Sequence, residues 1–339
     1  MALLVELSGE VLDLASHEAW ATATMLSGDD AKVLSLDGPA MVLEAPGVEG
    51  SLMAERLGLA HHVSDGAISG DTAMSTKLAA AIDIGDARSF RVRVRKTEMA
   101  PEGVEPKALE VDSGALLKER TGASVDLSTP EAEVRLVLAE RAYAGLLGGS
   151  VDRKAMEGRA VKHRPFSHPV SIHPKFARAM VNMAMVPEGG RVMDPLCGTG
   201  GILIEAGLLG YIPMGSDIDP RMVNGSRKNL RTLGLDAQLH IADVSKAAHD
   251  LEAPPDAIVT DPPYGRSTSL HGGATEGIIE GLYSMAISCL PPGGRLIVCL
   301  PSREMLPDEG GDLEVSSVHP MKVHRSLTRH VCVLIRTFP

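Results

Sequence analysis

Aromatic residues are scarce in this sequence. Phe, Trp and Tyr together make up 3% of its 339 residues, so its cores must rest on the Leu, Val, Ile, Met and Ala that dominate a 44% hydrophobic content. Positive charge is also in short supply, with a formal net charge of -11. That balance excludes a uniformly basic nucleic-acid binder and confines any such contact to local basic patches. Cysteine is limited to Cys197, Cys289, Cys299 and Cys332, no two of them in a Cys-x-x-Cys pair. They read as reduced thiols of a cytoplasmic protein, not as a disulfide frame or a zinc site, and no metal is expected. No apolar run approaches the ~18 residues of a membrane span. The N-terminus is acidic where a signal peptide would be basic.

The chain reads in two halves. Residues 1–148 mix short strands and helices in an α+β pattern. Ala2–Leu7 is a strand candidate, Leu14–Leu26 an Ala-rich helix, and Ser113–Arg120 looks helical. Ser89–Lys96 alternates with period two, placing Phe90, Val92 and Val94 on one side and Arg91, Arg93 and Arg95 on the other. The arginine stripe suits phosphates as well as it suits a solvated strand face. Val134–Leu138 and Ala142–Leu147 read as a hairpin, with one long helix over Glu131–Leu147 as the competing reading. Gly148-Gly149-Ser150 breaks the chain, and a basic run with Arg153, Lys154, Arg159, Lys162, His163 and Arg164 follows. Residues 149–165 are therefore expected to form a linker, and 166–339 a second domain. From residue 191 strands and helices alternate, and two strands without a helix between them close the tail. This order predicts a doubly wound, Rossmann-like α/β domain with an antiparallel last hairpin.

Three acidic strand ends mark a ligand site. Asp194-Pro195-Leu196-Cys197-Gly198-Thr199-Gly200-Gly201 follows a short apolar strand and opens a helix. The glycines allow a sharp turn close to a ligand. The Asp before the turn would repel a pyrophosphate but suits the amino group of an amino acid, which favours S-adenosylmethionine over NAD. At the next strand end Asp217 can accept from ribose hydroxyls, whereas Asp219 suits the cap of the helix that Pro220 begins. Past the third strand, the carboxylate or backbone of Asp243 can meet an adenine amino group. Ligands of open α/β sheets bind at these carboxyl ends.

The fourth strand runs into Asp261-Pro262-Pro263-Tyr264-Gly265. The prolines stiffen the turn and remove two backbone donors, leaving acceptors. The Asp261 carboxylate and Pro262 carbonyl can hold a planar amino group while Tyr264 offers a face for a flipped-out base. Together with the upstream motifs this points to methyl transfer onto an exocyclic nitrogen, with no metal and no membrane involved. Arg266 and Ser267–Ser269 then form a polar loop that suits either a substrate cover or an ordinary surface. His163, His168 and His173 recur among prolines and read as loop or RNA-side residues.

The segment Arg164–Arg178, the turn Asp194–Gly201 and the run Asp261-Pro-Pro-Tyr-Gly-Arg-Ser-Thr268 resemble the archaeal tRNA guanine-10 N2-methyltransferases and their eukaryotic counterpart, which works with a small activator protein. The first half is similar, more loosely, to a THUMP RNA-binding module with its preceding ferredoxin-like segment. The resemblance implies a tRNA partner, m2G and then N2,N2-dimethylguanine as products, and either a small activator or action as a monomer. It implies cofactor roles for Asp194, Cys197, Gly198, Gly200, Asp217 and Asp243, and catalytic roles for Asp261, Pro262, Pro263 and Tyr264. Arg178 is implied at the methionine carboxylate, and Arg91, Arg93, Arg95 and Arg266 on the RNA side. Other substrates for the same turn are ribosomal RNA guanine or a DNA amine; a catalytically silent RNA-binding homologue is the reading from another class.

Overall fold

The period-two stretch at Ser89–Lys96 is a strand, and its apolar side faces inward: Phe90 and Val92 are buried with Leu117, Val134 and Leu136. This is seen in a computed structural model that describes residues 2–28, 31–168, 171–248, 251–263, 272–324 and 327–337. The chain divides into two units, Met1–Asp152 and Arg153–Pro339.

The first unit runs β1 (Ala2–Leu7), α1 (Leu12–Ser27), β2 (Lys32–Asp37), β3 (Ala40–Glu44), α2 (Gly50–Arg56), β4 (Ala60–Gly70), α3 (Ser75–Ala81), β5 (Ser89–Lys96), α4 (Pro106–Thr121), β6 (Ser124–Val125), β7 (Ala132–Leu138) and β8 (Ala142–Ser150). Among the described residues these strands form one eight-stranded sheet in the order β2-β3-β1-β4-β8-β7-β5-β6. The hairpin reading holds over the helical one. β7 and β8 pair antiparallel with Val134 opposite Leu146, and Asp37 secures their turn by accepting the N–H groups of Glu140 (3.3 Å) and Arg141 (2.9 Å).

Gly148 and Gly149 do not end the first region as a break in the chain. They belong to β8, which continues to Ser150. A Cβ at Gly149 would lie 2.7 Å from the Ala54 Cβ and 2.9 Å from the Ser51 Cα of α2. The missing side chain is what lets a helix pack onto the strand. The expected linker is also partly helical, because α5 (Arg153–Gly158) opens the second unit.

That unit continues with α6 (Pro174–Met183), β9 (Arg191–Asp194), α7 (Gly201–Leu208), β10 (Ile212–Asp217), α8 (Pro220–Arg231), β11 (Gln238–Ile241), β12 (Ala257–Thr260), α9 (Gly272–Cys289), β13 (Arg295–Leu300), β14 (Leu313–His324) and β15 (Leu327–Arg336). Its described strands form a seven-stranded sheet ordered β11-β10-β9-β12-β13-β15-β14. β9 through β13 are parallel, and β15 is antiparallel to both β13 and β14, as the sequence pattern predicts. The central strands read as continuous apolar runs because helices cover both faces. β12 is buried along its whole length, and Met193, Ile258, Leu296, Val298 and Leu334 share one core cluster.

The chain turns from β9 toward β10 on one side and returns through β12 on the other. The strand order therefore reverses between β9 and β12. In open α/β sheets the crevice outside the carboxyl ends at such a reversal is where ligands bind.

Candidate active site

Asp194 ends β9 and Asp261 follows β12, so the strand reversal brings two carboxylates to one crevice. Both line a pocket with Ser171, Cys197, Gly198 and Thr199. The glycine turn wraps this pocket because Gly198 (φ 49°) and Gly200 (φ 79°) take left-handed conformations. A Cβ on Gly200 would also collide with the Ser226 hydroxyl. α7 starts on the pocket side, so the positive end of its dipole faces the crevice.

Asp194 is buried; Thr260 Oγ1 donates to its Oδ1 at 2.7 Å and the Leu196 N–H at 3.1 Å. Burial pushes its pKa up to about 7, with the Asp217 charge adding to the rise and these two hydrogen bonds opposing it. Asp217, half-buried at the end of β10, accepts from the N–H of Gly198 (3.0 Å) and of Asp219 (2.9 Å). Its pKa is also raised, chiefly by desolvation. The two bonds fall on different oxygens, Gly198 on Oδ2 and Asp219 on Oδ1, so each oxygen keeps a lone pair for a ligand. Asp219 caps α8 by accepting from the Arg221 N–H at 2.8 Å, as expected. Cys197 is buried, and its thiol is pushed well above its ordinary pKa by burial and by the neighbouring Asp194 and Asp217. It is packing in the pocket wall, not a nucleophile.

Asp243 stands past β11, but its carboxylate caps the short helical turn Val244–Lys246, accepting from the N–H (3.0 Å) and Oγ (2.7 Å) of Ser245. Both bonds fall on Oδ1, so the exposed Asp243 keeps Oδ2, and both readings for it stay open. Arg178 is held by a carboxylate of the interior. It lies buried in α6, where its Nε donates to Glu205 at 2.8 Å. The buried Glu205 carboxylate holds it in the interior.

At the catalytic turn Pro262 is buried and Pro263 half-buried. Asp261 forms an ion pair with Arg329 of β15, a residue the motif reading missed. Burial lowers the Arg329 pKa to about 10, so it stays cationic at neutral pH. The pairing fixes the Asp261 carboxylate as an anionic acceptor. Tyr264, Arg266 and the Ser267–Ser269 loop lie outside the described residues.

Two further residues brace the pocket from behind. Buried Asn229 of α8 clamps Phe166 through its N–H (2.9 Å) and its carbonyl (2.8 Å), and also donates to the Thr199 carbonyl at 2.9 Å. A Cβ at Gly225, one turn earlier, would collide with the Phe166 ring. The spacing of Gly225 and Asn229 by four on one helix face was the available signal.

The arginine stripe of β5 is not a free phosphate surface. Parallel pairing sets Arg91 opposite Glu133 of β7, and their side chains meet at 2.5 Å. Arg93 faces Glu110 of α4 at 3.6 Å, and Arg95 faces Glu6 at 3.6 Å. Each stripe arginine has a local carboxylate, so the cationic face is largely neutralised.

The description "RMKL-like, methyltransferase domain" belongs to the family model that matches residues 162–331. The tRNA (guanine(10)-N2)-dimethyltransferase of Methanothermobacter thermautotrophicus is 37% identical over 352 residues, covering 99% of this chain and 100% of its own. The protein of the same name from Pyrococcus abyssi is 31% identical over 340 residues, covering 97% and 98%. Among solved structures, TrmN from Thermus thermophilus matches with a TM-score of 0.57 at 22% identity, over 99% of this chain and 100% of that one, a likeness of fold.

Proposed function

The chain belongs to the tRNA (guanine(10)-N2)-methyltransferase family, and on that premise we propose that it methylates the exocyclic N2 amine of guanine 10 in tRNA, first to m2G and then to N2,N2-dimethylguanine. The methyl donor is S-adenosylmethionine, which when bound supplies an electrophilic methyl on a sulfonium. The pocket residues suit it: bare glycines at the turn, carboxylates at two strand ends and a helix start between them. Asp194 is assigned to the ammonium of the amino-acid end and Asp217 to the ribose hydroxyls, with Gly198 and Gly200 allowing close approach and the carboxylate or backbone of Asp243 meeting the adenine.

Asp261 carries the chemistry in this reading. Its carboxylate and the Pro262 carbonyl accept the two hydrogens of the guanine amine and orient the nitrogen lone pair toward the methyl group. The nitrogen turns acidic as it is alkylated, so an anionic carboxylate held by Arg329 suffices to receive its proton. Arg329 acts as a positioning residue. Tyr264 is assigned to stacking on the base, and Arg266 to the RNA.

The single observation behind this reading is that Asp261 and the turn Asp194–Gly201 line the same pocket. The first unit is assigned to gripping the tRNA, as a ferredoxin-like segment followed by a THUMP module. A tRNA substrate agrees with a cytoplasmic location, and among the described residues no helix is long and apolar enough to cross a membrane. Mass spectrometry of nucleosides from unmodified tRNA, incubated with the purified chain and labelled S-adenosylmethionine, tests the proposal. Labelled N2-methylguanosine is expected; label on adenosine or cytidine alone, or none, would defeat it. Adding or omitting a candidate activator in the same assay tests whether the chain works alone as a monomer.

A further inference from the structure

Three arginines gather around one buried carboxylate behind the glycine turn. Glu205 of α7, fully buried, receives Arg159 through Nε–Oε1 (2.9 Å) and Nη2–Oε2 (3.0 Å), and Arg178 through Nε–Oε2 (2.8 Å). Arg164 is the third. Its Nε donates to the Arg159 carbonyl at 2.9 Å and its Nη1 to Thr199 Oγ1 at 3.1 Å. Its Nη2 is buried and has no hydrogen-bond partner among the described residues. Burial lowers its pKa, the Glu205 carboxylate opposes that shift, and the Arg159 charge adds to it. A guanidinium does not lose its proton in a protein, so this cation persists without a carboxylate of its own.

The guanidinium lies behind the pocket wall, which Arg164 does not itself line, and Nη2 is its one nitrogen without a hydrogen bond among the described residues. Thr199 Oγ1 bridges from Arg164 to the Ser171 hydroxyl at 3.0 Å, and Thr199, Ser171 and Gly201 all line the pocket. A Cβ on Gly201 would sit 3.1 Å from Arg164 Nη1, so the glycine keeps this wall thin. The start of α7 lies at the same place and adds its positive dipole end. Asp194 and Asp217 stand at the strand ends. The pocket is therefore bipolar, acidic at the strand ends and cationic at the helix start, which matches a zwitterionic amino acid.

We propose that Arg164, not Arg178, receives the carboxylate of the amino-acid end of S-adenosylmethionine, with Thr199 and Ser171 holding the guanidinium in place. This rests on the reading of the pocket as the S-adenosylmethionine site. Charge-assisted bonds from arginine to carboxylate are among the strongest in proteins, and an Nη2 already desolvated gains a partner without further loss of water.

The test compares two ligands that differ only in the carboxylate: S-adenosylmethionine and its decarboxylated form. Calorimetric titration of the full chain is expected to show that Arg164→Gln weakens S-adenosylmethionine about tenfold to a hundredfold, with the decarboxylated ligand within about twofold of wild type. Arg164→Lys, which keeps the charge and loses the fork, should fall between, and it carries the test if the glutamine variant does not fold. Equal losses for both ligands would mean a merely structural arginine and overturn the proposal. So would unchanged S-adenosylmethionine affinity, including the case where only tRNA binding weakens and the fork serves a phosphate. If the wild-type chain binds neither ligand, the pocket assignment fails with it; if it binds both and only the variants behave otherwise, the failure is confined to Arg164.

Discussion

Each unit surrounds a fully buried glutamate with arginine, Glu6 in the first and Glu205 in the second; Glu18, also fully buried in the first, instead accepts from the backbone N–H groups of Gly58 and Leu59. In the first unit the network closes on carboxylates, although Arg95 Nη1, buried at 3.6 Å from Glu6, makes no hydrogen bond among the described residues. Arg135 meets Glu6 at 2.7 Å and Glu133 at 2.9 Å, Arg91 pairs with Glu133, and Arg95 pairs with Glu6. Every guanidinium there has a carboxylate. In the second unit Arg159 and Arg178 share Glu205, and Arg164 is left facing the pocket wall. A closed network specifies a fold; an open one, placed beside a cavity, is complementary to a ligand. The distinction separates a unit whose buried charges are structural from one whose buried charges are poised for chemistry.

The largest effect belongs to the catalytic turn of the second unit. Asp261→Ala removes the anionic acceptor and leaves Arg329 buried without its carboxylate. Methyl transfer to tRNA should fall by about a hundredfold to a thousandfold or more, with S-adenosylhomocysteine affinity and tRNA binding near wild type. Full single-turnover activity in this variant would remove Asp261 from the reaction.

Next come the two glutamates. Removing one partner of a buried ion pair costs about 3–5 kcal/mol, so Glu6→Gln and Glu205→Gln should both destabilise the protein in chemical denaturation. Only Glu205→Gln should also weaken S-adenosylhomocysteine, because freed Arg159 and Arg178 disturb Arg164 and the glycine turn. An equal ligand defect in Glu6→Gln would erase the contrast between closed and open networks. A smaller loss, about a hundredfold in kcat/KM on tRNA, is expected on deleting residues 1–152, since remote binding energy is what a gripping module contributes. Cofactor affinity of the remaining unit should hold. A truncated chain as active on tRNA as the whole one would reject a gripping role for the first unit.

The second unit was far more legible in the sequence than the first. Its parallel strands are largely buried and punctuated by Asp–Pro turns and a glycine-rich turn, so β9, β10 and β12 announce themselves, each with an acid at its C-terminal end. The first unit hid β2, β3 and β4. β4 reads Ala-His-His-Val-Ser-Asp-Gly and carries an irregularity between Asp65 and Ile68, with Gly66 at φ 64°, which destroys the alternation. The glycines of β8 looked like a break because their purpose, room for α2, is tertiary. Site residues divide the same way. Asp194, Asp217 and Asp261 sit at motif positions. Arg329, Arg164 and Asn229 reach the site only through folding, from a distant strand, the basic run and a helix face. The sequence pattern of Arg178 and of the β5 arginines does not disclose the carboxylates that folding sets beside them.

The smallest effect is a dependence on pH that only the second unit should show. An exposed aspartate titrates near 3.8, and Asp194 is pushed up to about 7 in the fold, mainly by burial. Between about pH 4 and pH 7 the ligand-free fold therefore keeps a proton that the unfolded chain has lost. The stability this group contributes is full below about pH 4 and is lost as pH rises through about 7. A cationic ammonium beside Asp194 reverses the preference, because it favours the ionised carboxylate. Binding of S-adenosylhomocysteine should then expel a proton below about pH 7, so affinity should drop by at most about tenfold per unit as pH falls from about 7. Calorimetry in two buffers of different ionisation enthalpy counts that proton. Asp194→Asn should bind more weakly and release none, flattening the profile. The same proton release in Asp194→Asn would assign the titration elsewhere, with Asp217, whose pKa is also raised, the nearest alternative.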